Sequence, residues 1–133
     1  MNSRFWIAAA AVAVALSGIG TAMSDEAPKV QRSILLKEDI AVADHEGVMA
    51  KVDIPPGATE GKHTHPGAVV VYIQEGVLTF DYEGNPTMTY KAGDSFFIEA
   101  GKIHEGINKG ASPVKAVATF VVEKGKPLTA PAP

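Results

Sequence analysis

The chain has 133 residues, a formal net charge of −3 at neutral pH and no cysteine. A chain of this length forms one hydrophobic core, and without cysteine it has neither a disulfide nor a thiolate for metal binding or nucleophilic catalysis. Its charge is slightly acidic with no basic cluster, which argues against nucleic acid as a partner.

Residues 1–22 have the pattern of a secretory signal peptide. Arg4 supplies a positive charge, residues 5–16 are apolar, and small residues at 20–22 suit a signal peptidase. The apolar run is shorter than the roughly 20 residues that span a bilayer, which favours a cleaved signal over a permanent anchor. We therefore expect a periplasmic or secreted protein that keeps no stable membrane anchor after cleavage.

Residues 23–47 are interpreted as a leader followed by one strand. The apolar residues between Val30 and Ala43 show no clean period, so we expect this strand to pack on a neighbouring strand or on a dimer partner. At the other end, residues 124–133 contain three prolines and predict a C-terminal tail.

Between these segments, short β-branched or aromatic runs alternate with turns rich in glycine and proline. The runs lie at 48–54, 69–74, 77–82, 87–90, 95–98 and 114–122, with a further one after His104. No helical period is present. The pattern predicts an all-β sandwich or barrel over residues 48–123, with at least eight strands.

Two histidines stand one residue apart in the glycine-rich stretch 57–67. In an extended segment, residues i and i+2 point to the same face, so His63 and His65 would present two imidazoles to one point. Imidazole is the commonest protein metal ligand, although such a pair also fits unrelated surface histidines. A third histidine, His104, follows a second glycine-rich stretch, while His45 fits no ligand spacing.

These two stretches resemble the two sequence motifs of the cupin family. The first motif is Gly, five residues, His-x-His, three or four residues, Glu, six residues, Gly. The second is Gly, five residues, Pro-x-Gly, two residues, His, three residues, Asn. This chain supplies Gly57, His63, His65 and Gly76 of the first motif and Gly93, Gly101, His104 and Asn108 of the second. The resemblance implies a small single-domain cupin, a double-stranded β-helix or jelly-roll barrel with its metal inside.

Two positions depart from the motifs. Val69 stands where the family has a metal-binding Glu, and Glu99 stands where the second motif has Pro. The resemblance then implies a divalent metal (Fe, Mn, Cu, Ni or Zn) bound by His63, His65 and His104 alone, or else a lapsed site. For a working site we expect the ring nitrogens to lie within about 3–4 Å of one another, with Val69 lining the same pocket.

Three neutral imidazoles leave a divalent ion with its full charge and with open positions, which suits an anionic small-molecule substrate together with O₂ or water. The resemblance to three-His cupins implies a metal-dependent dioxygenase acting on a small organic substrate. The alternatives are a non-catalytic periplasmic cupin that binds a metal or small ligand, and a structural module. Glu99 is the candidate catalytic base, and an exposed turn residue is its other interpretation.

The resemblance to small cupins also implies a homodimer. In such an assembly we expect residues 34–42 to add to the edge of a partner's sheet, because their apolar side chains have no obvious place inside a small barrel.

Overall fold

The computed structural model describes residues 26–133, so the predicted signal peptide lies outside the described residues. Over this range the chain forms ten strands and no α-helix. These residues therefore include no helix that is long and apolar enough to cross a membrane. The strands are β1 (Gln31–Asp39), β2 (His45–Ile54), β3 (His63–Thr64), β4 (Ala68–Glu75), β5 (Val77–Tyr82), β6 (Met88–Lys91), β7 (Ser95–Ile98), β8 (His104–Ile107), β9 (Val114–Glu123) and β10 (Ala130–Pro131).

Two five-stranded antiparallel sheets face each other. Their strand orders are β1-β2-β9-β4-β7 and β10-β3-β8-β5-β6. From β2 onward, consecutive strands alternate between the two sheets, except that β5 and β6 form a hairpin within one sheet, as in a double-stranded β-helix. The structure therefore confirms the all-β jelly-roll prediction, including eight strands, β2 to β9, across the predicted barrel.

The long strands β2 and β9 show why this sequence forms a barrel. Both alternate strictly between buried and outward-facing side chains, which is the period of a strand with one buried face. Val122 and Ile54, 1% and 2% exposed, lie near opposite ends of this strand pair, and burying each contributes about 1.5–3 kcal/mol. In the middle, Ala50 is paired with Ala118, and these small side chains leave space inside the barrel.

The start of β4 requires a glycine. A Cβ at Gly67 would lie 2.0 Å from the carbonyl oxygen of Val121 on β9. Because the obstacle is backbone, even alanine would force the two strands apart at the point where the chain leaves His65 and enters the sheet.

The two terminal segments both join the sheets. Strand β1 pairs with β2 of its own chain, with a bulge between Ile34 and Leu36, and it forms an outer edge of its sheet. The segment expected to be a C-terminal tail is held to the barrel, because β10 pairs with β3 and Leu128 packs against the core. Composition alone could not show this, since the pairing joins residues more than 60 positions apart.

Candidate metal centre

Strand pairing brings the three predicted ligands together. His63 on β3 is directly opposite His104 on β8, so their side chains project from the same face of the sheet. His65 lies two residues after His63 and projects the same way. All three are buried, with exposures of 3%, 5% and 2% for His63, His65 and His104.

The ring nitrogens converge as the sequence predicted. The Nε2 atoms of His65 and His104 are 3.1 Å apart. One nitrogen from each of the three rings lies within 4.8 Å of the others. The expected distance of about 3–4 Å between ring nitrogens is therefore met by His65 and His104. The distances that involve His63 lie within the wider limit of 4.8 Å.

Hydrogen bonds to the backbone determine which nitrogen of each ring faces inward. Every Nδ1 lies at hydrogen-bond distance from a backbone carbonyl, and a carbonyl can only accept, so Nδ1 carries the proton and Nε2 keeps a free lone pair. The donor and acceptor pairs are His63 with Gly61 (2.7 Å), His65 with Leu128 (2.6 Å) and His104 with Lys102 (2.9 Å).

This arrangement fits a divalent cation. Burial lowers the pKa of both His65 and His104 to about 4, although the bonds to the backbone carbonyls act in the opposite direction. At neutral pH both rings are therefore neutral, and two Nε2 lone pairs face each other at 3.1 Å with no proton between them. A divalent ion about 2.0–2.2 Å from each nitrogen would replace that repulsion with two bonds.

The histidines face an interior cavity of about 40 Å³. On the scale where one water takes about 10–15 Å³, this is room for roughly three waters. The walls are mainly apolar and include Val69, which is 1% exposed and occupies the position of the absent Glu ligand. Tyr72, on the other face of β4, points outward and is 50% exposed.

Glu99 does not join this group. Its neighbour Ile98 faces inward and is 3% exposed, so the alternation of the strand turns Glu99 outward, where it is exposed. The carboxylate that lines the cavity is instead Glu60. The sequence carries no signal for this position, because the loop that holds Glu60 has no regular period and its partner, Gly106, is distant in sequence.

The comparisons with known proteins agree with the fold and the histidine cluster. The sequence model of the family described as "Cupin domain" matches residues 50–123. Rice (Oryza sativa subsp. japonica) germin-like protein 1-1 is 34% identical over 77 residues, which cover 54% of this chain and 36% of that protein. The chain thus spans about a third of the length of the germin-like relatives it matches.

A bacterial relative and a solved structure match more evenly in length. The oxalate-binding protein of Thermotoga maritima is 27% identical over 97 residues, covering 71% of this chain and 77% of that protein. An uncharacterized protein from Klebsiella pneumoniae with a double-stranded β-helix domain superposes with a TM-score of 0.64 at 22% identity, covering 79% and 85% of the two chains. Since the family model matches more than half of the chain, the protein belongs to the cupin family, as a member in which three histidines converge and valine replaces the Glu of the first motif.

Proposed function

We propose that this cupin binds one divalent metal ion through His63, His65 and His104 and acts as a dioxygenase-type enzyme on a small organic substrate. The observation that carries the proposal is that one unprotonated ring nitrogen from each of the three histidines points to a common centre. The proton of each ring sits on its other nitrogen, Nδ1, which donates to a backbone carbonyl. When bound, the ion would act as a Lewis acid with positions open to substrate.

The cavity supports a small substrate. Its volume of about 40 Å³ leaves little space beyond the metal position, and its apolar walls keep bulk water away from the imidazoles. The relative from Thermotoga maritima is named for binding oxalate, a two-carbon acid. We therefore place the substrate of this chain among short organic acids.

A non-catalytic protein that binds a metal or a small ligand is the second candidate. One observation favours it: the carboxylate lining the cavity, Glu60, is already bound at both oxygens, by Arg32 at 2.7 Å and by the backbone N–H of Gly106 at 3.1 Å. Both oxygens are thus occupied by donors of the protein itself, which favours a structural role for this carboxylate over proton transfer. Glu99, exposed outside the cavity, is not part of either proposal.

Oxygen consumption separates the two candidates. The protein would be purified from its own compartment, its metal identified by elemental analysis, and O₂ uptake measured with oxalate, glycolate and related short acids. A redox-active metal with uptake that His104→Ala abolishes supports the enzyme. Tight zinc with no uptake for any acid supports the binding protein.

We also propose that the chain is exported, on the basis of the pattern in residues 1–22. The N-terminal sequence of protein recovered from the periplasm or medium should then begin at Met23, or at Asp25 if the peptidase cuts after Ser24. Recovery of the full-length chain from the cytoplasm alone would contradict export.

A further inference from the structure

One cation faces the interior of the barrel from outside the segment that the family model matches. Arg32 lies on β1, directly opposite Val52 of β2. Val52 is buried and lines the cavity, and paired residues project from the same face, so Arg32 points toward the cavity as well. It is the single arginine of residues 26–133, and it lines the cavity together with the three histidines.

The guanidinium of Arg32 contacts Glu60 but keeps further N–H donors available. One of its N–H groups donates to Glu60 at 2.7 Å, and the side chains of Arg32 and Glu60 are 35% and 13% exposed. Arginine has five N–H donors in a fixed fork, so this contact leaves donors for a second anion.

Glu60 itself is fixed in place by the neighbouring strand. Its second oxygen accepts the backbone N–H of Gly106 at 3.1 Å, and its own N–H donates to the Gly106 carbonyl at 2.9 Å. A Cβ at Gly106 would lie 2.5 Å from that carboxylate oxygen, so the glycine provides the space that Glu60 occupies.

The charges in the cavity favour an anion. With a divalent ion on three neutral imidazoles, the positive charge of Arg32 and the negative charge of Glu60 cancel, and the metal charge stays uncompensated among apolar walls. A buried positive charge requires a counter-charge, and a bound acid would supply it.

We propose that Arg32 is a specificity-determining residue that binds the carboxylate of a short organic acid whose other oxygen lies toward the histidines. Acids with an oxygen on the carbon next to the carboxylate, such as glycolate, have this form. The inference rests on the proposed metal site, and it assigns recognition of the acid to the N-terminal strand rather than to the two cupin motifs.

The test compares an anion with its neutral analogue. Binding of glycolate and of glycolamide to zinc-loaded protein would be measured by calorimetry, because zinc is redox-inert and turnover cannot interfere. The change Arg32→Gln should weaken glycolate about 10-fold or more, leave glycolamide within about twofold, and leave one zinc per chain. Arg32→Lys should recover part of the loss, because it keeps the charge but not the fork.

Lys51→Gln is the matched control, since Lys51 is a cation on the outer face of β2 that contacts Asp53 and not the cavity. It should leave both ligands unchanged. Equal glycolate affinity in the wild type and in Arg32→Gln, with zinc retained, would overturn the inference alone. Zinc-loaded wild type that binds no glycolate would also overturn it, whereas failure of the wild type to bind zinc would remove the proposed function itself.

Discussion

The ring protons of the three histidines are placed by backbone carbonyls, not by acidic side chains. Gly61, Lys102 and Leu128 supply those carbonyls, so the side chains of Lys102 and Leu128 take no part in orienting the rings. Gly61 differs, because its φ of 72° lies in the left-handed region that favours glycine. Spacing in the sequence could therefore predict which histidines converge, through period two and the second motif. It could not predict their tautomers, because carbonyl partners have no sequence signature.

Burial of neutral histidines predicts a pH-dependent stability for the metal-free protein. The folded chain keeps the pKa of His65 and His104 at about 4, below the ordinary value of 6.5, so between these values the unfolded chain binds more protons. The free energy of unfolding should therefore be greatest above about pH 6.5 and should fall as pH is lowered toward 4. The melting temperature of the metal-free protein, measured at several pH values between 6.5 and 4, checks this dependence.

The control for this prediction is the double variant His65→Gln, His104→Gln, which lacks both titrating rings. Its melting temperature should decline less steeply between pH 6.5 and 4 than that of the wild type. Identical slopes for the two proteins would show that these histidines titrate normally in the folded chain.

At the scale of elements, the C-terminal segment belongs to the metal centre. The carbonyl of Leu128 holds the Nδ1–H of His65, and β10 pairs with β3, the strand that carries His63. The strands from β2 to β9 other than the two-residue β3 could be predicted from alternation and turn residues. The contact of Leu128 with His65 could not be predicted, because β10 is only two residues long and the prolines of residues 124–133 indicate a tail.

We expect removal of the C-terminal segment to lower the affinity of the site for a metal ion. A chain ending at Gly125 loses the Leu128 carbonyl, and loss of such a partner to a ligating histidine typically costs 10–100-fold in metal affinity. A matched chain ending at Thr129 keeps that carbonyl and removes β10. Competition with a chelator should give the larger loss for the first chain; equal zinc affinity in the first chain and the wild type would refute the role of Leu128.

At the scale of the whole molecule, an apolar row crosses the outer face of one sheet. Strand registers place Leu36, Met49, Thr119, Val70 and Phe97 side by side on its five strands. The four apolar members are 36–55% exposed. Rows of this kind mark interaction surfaces more often than free surface. The homodimer implied by resemblance stays a prediction, and this row extends its candidate interface beyond residues 34–42.

A charge in this row should prevent dimerisation. We expect Phe97→Glu to shift the wild-type dimer to monomer at micromolar concentration, as measured by light scattering, because the glutamate would be buried against an apolar partner surface. Met88→Glu, at an exposed apolar position of the other sheet, should leave the dimer intact. A wild type that is already monomeric at these concentrations would contradict the homodimer.

The most direct test of the metal centre is the metal content of protein purified from its own compartment, compared between the wild type and His104→Ala. We expect about one divalent ion per wild-type chain and close to none in the variant, because two imidazoles completed only by water hold such an ion weakly. Glu99→Gln should keep the ion, since Glu99 is exposed outside the cavity. A wild-type protein without metal, or a His104→Ala variant that keeps it in full, would contradict the three-histidine site.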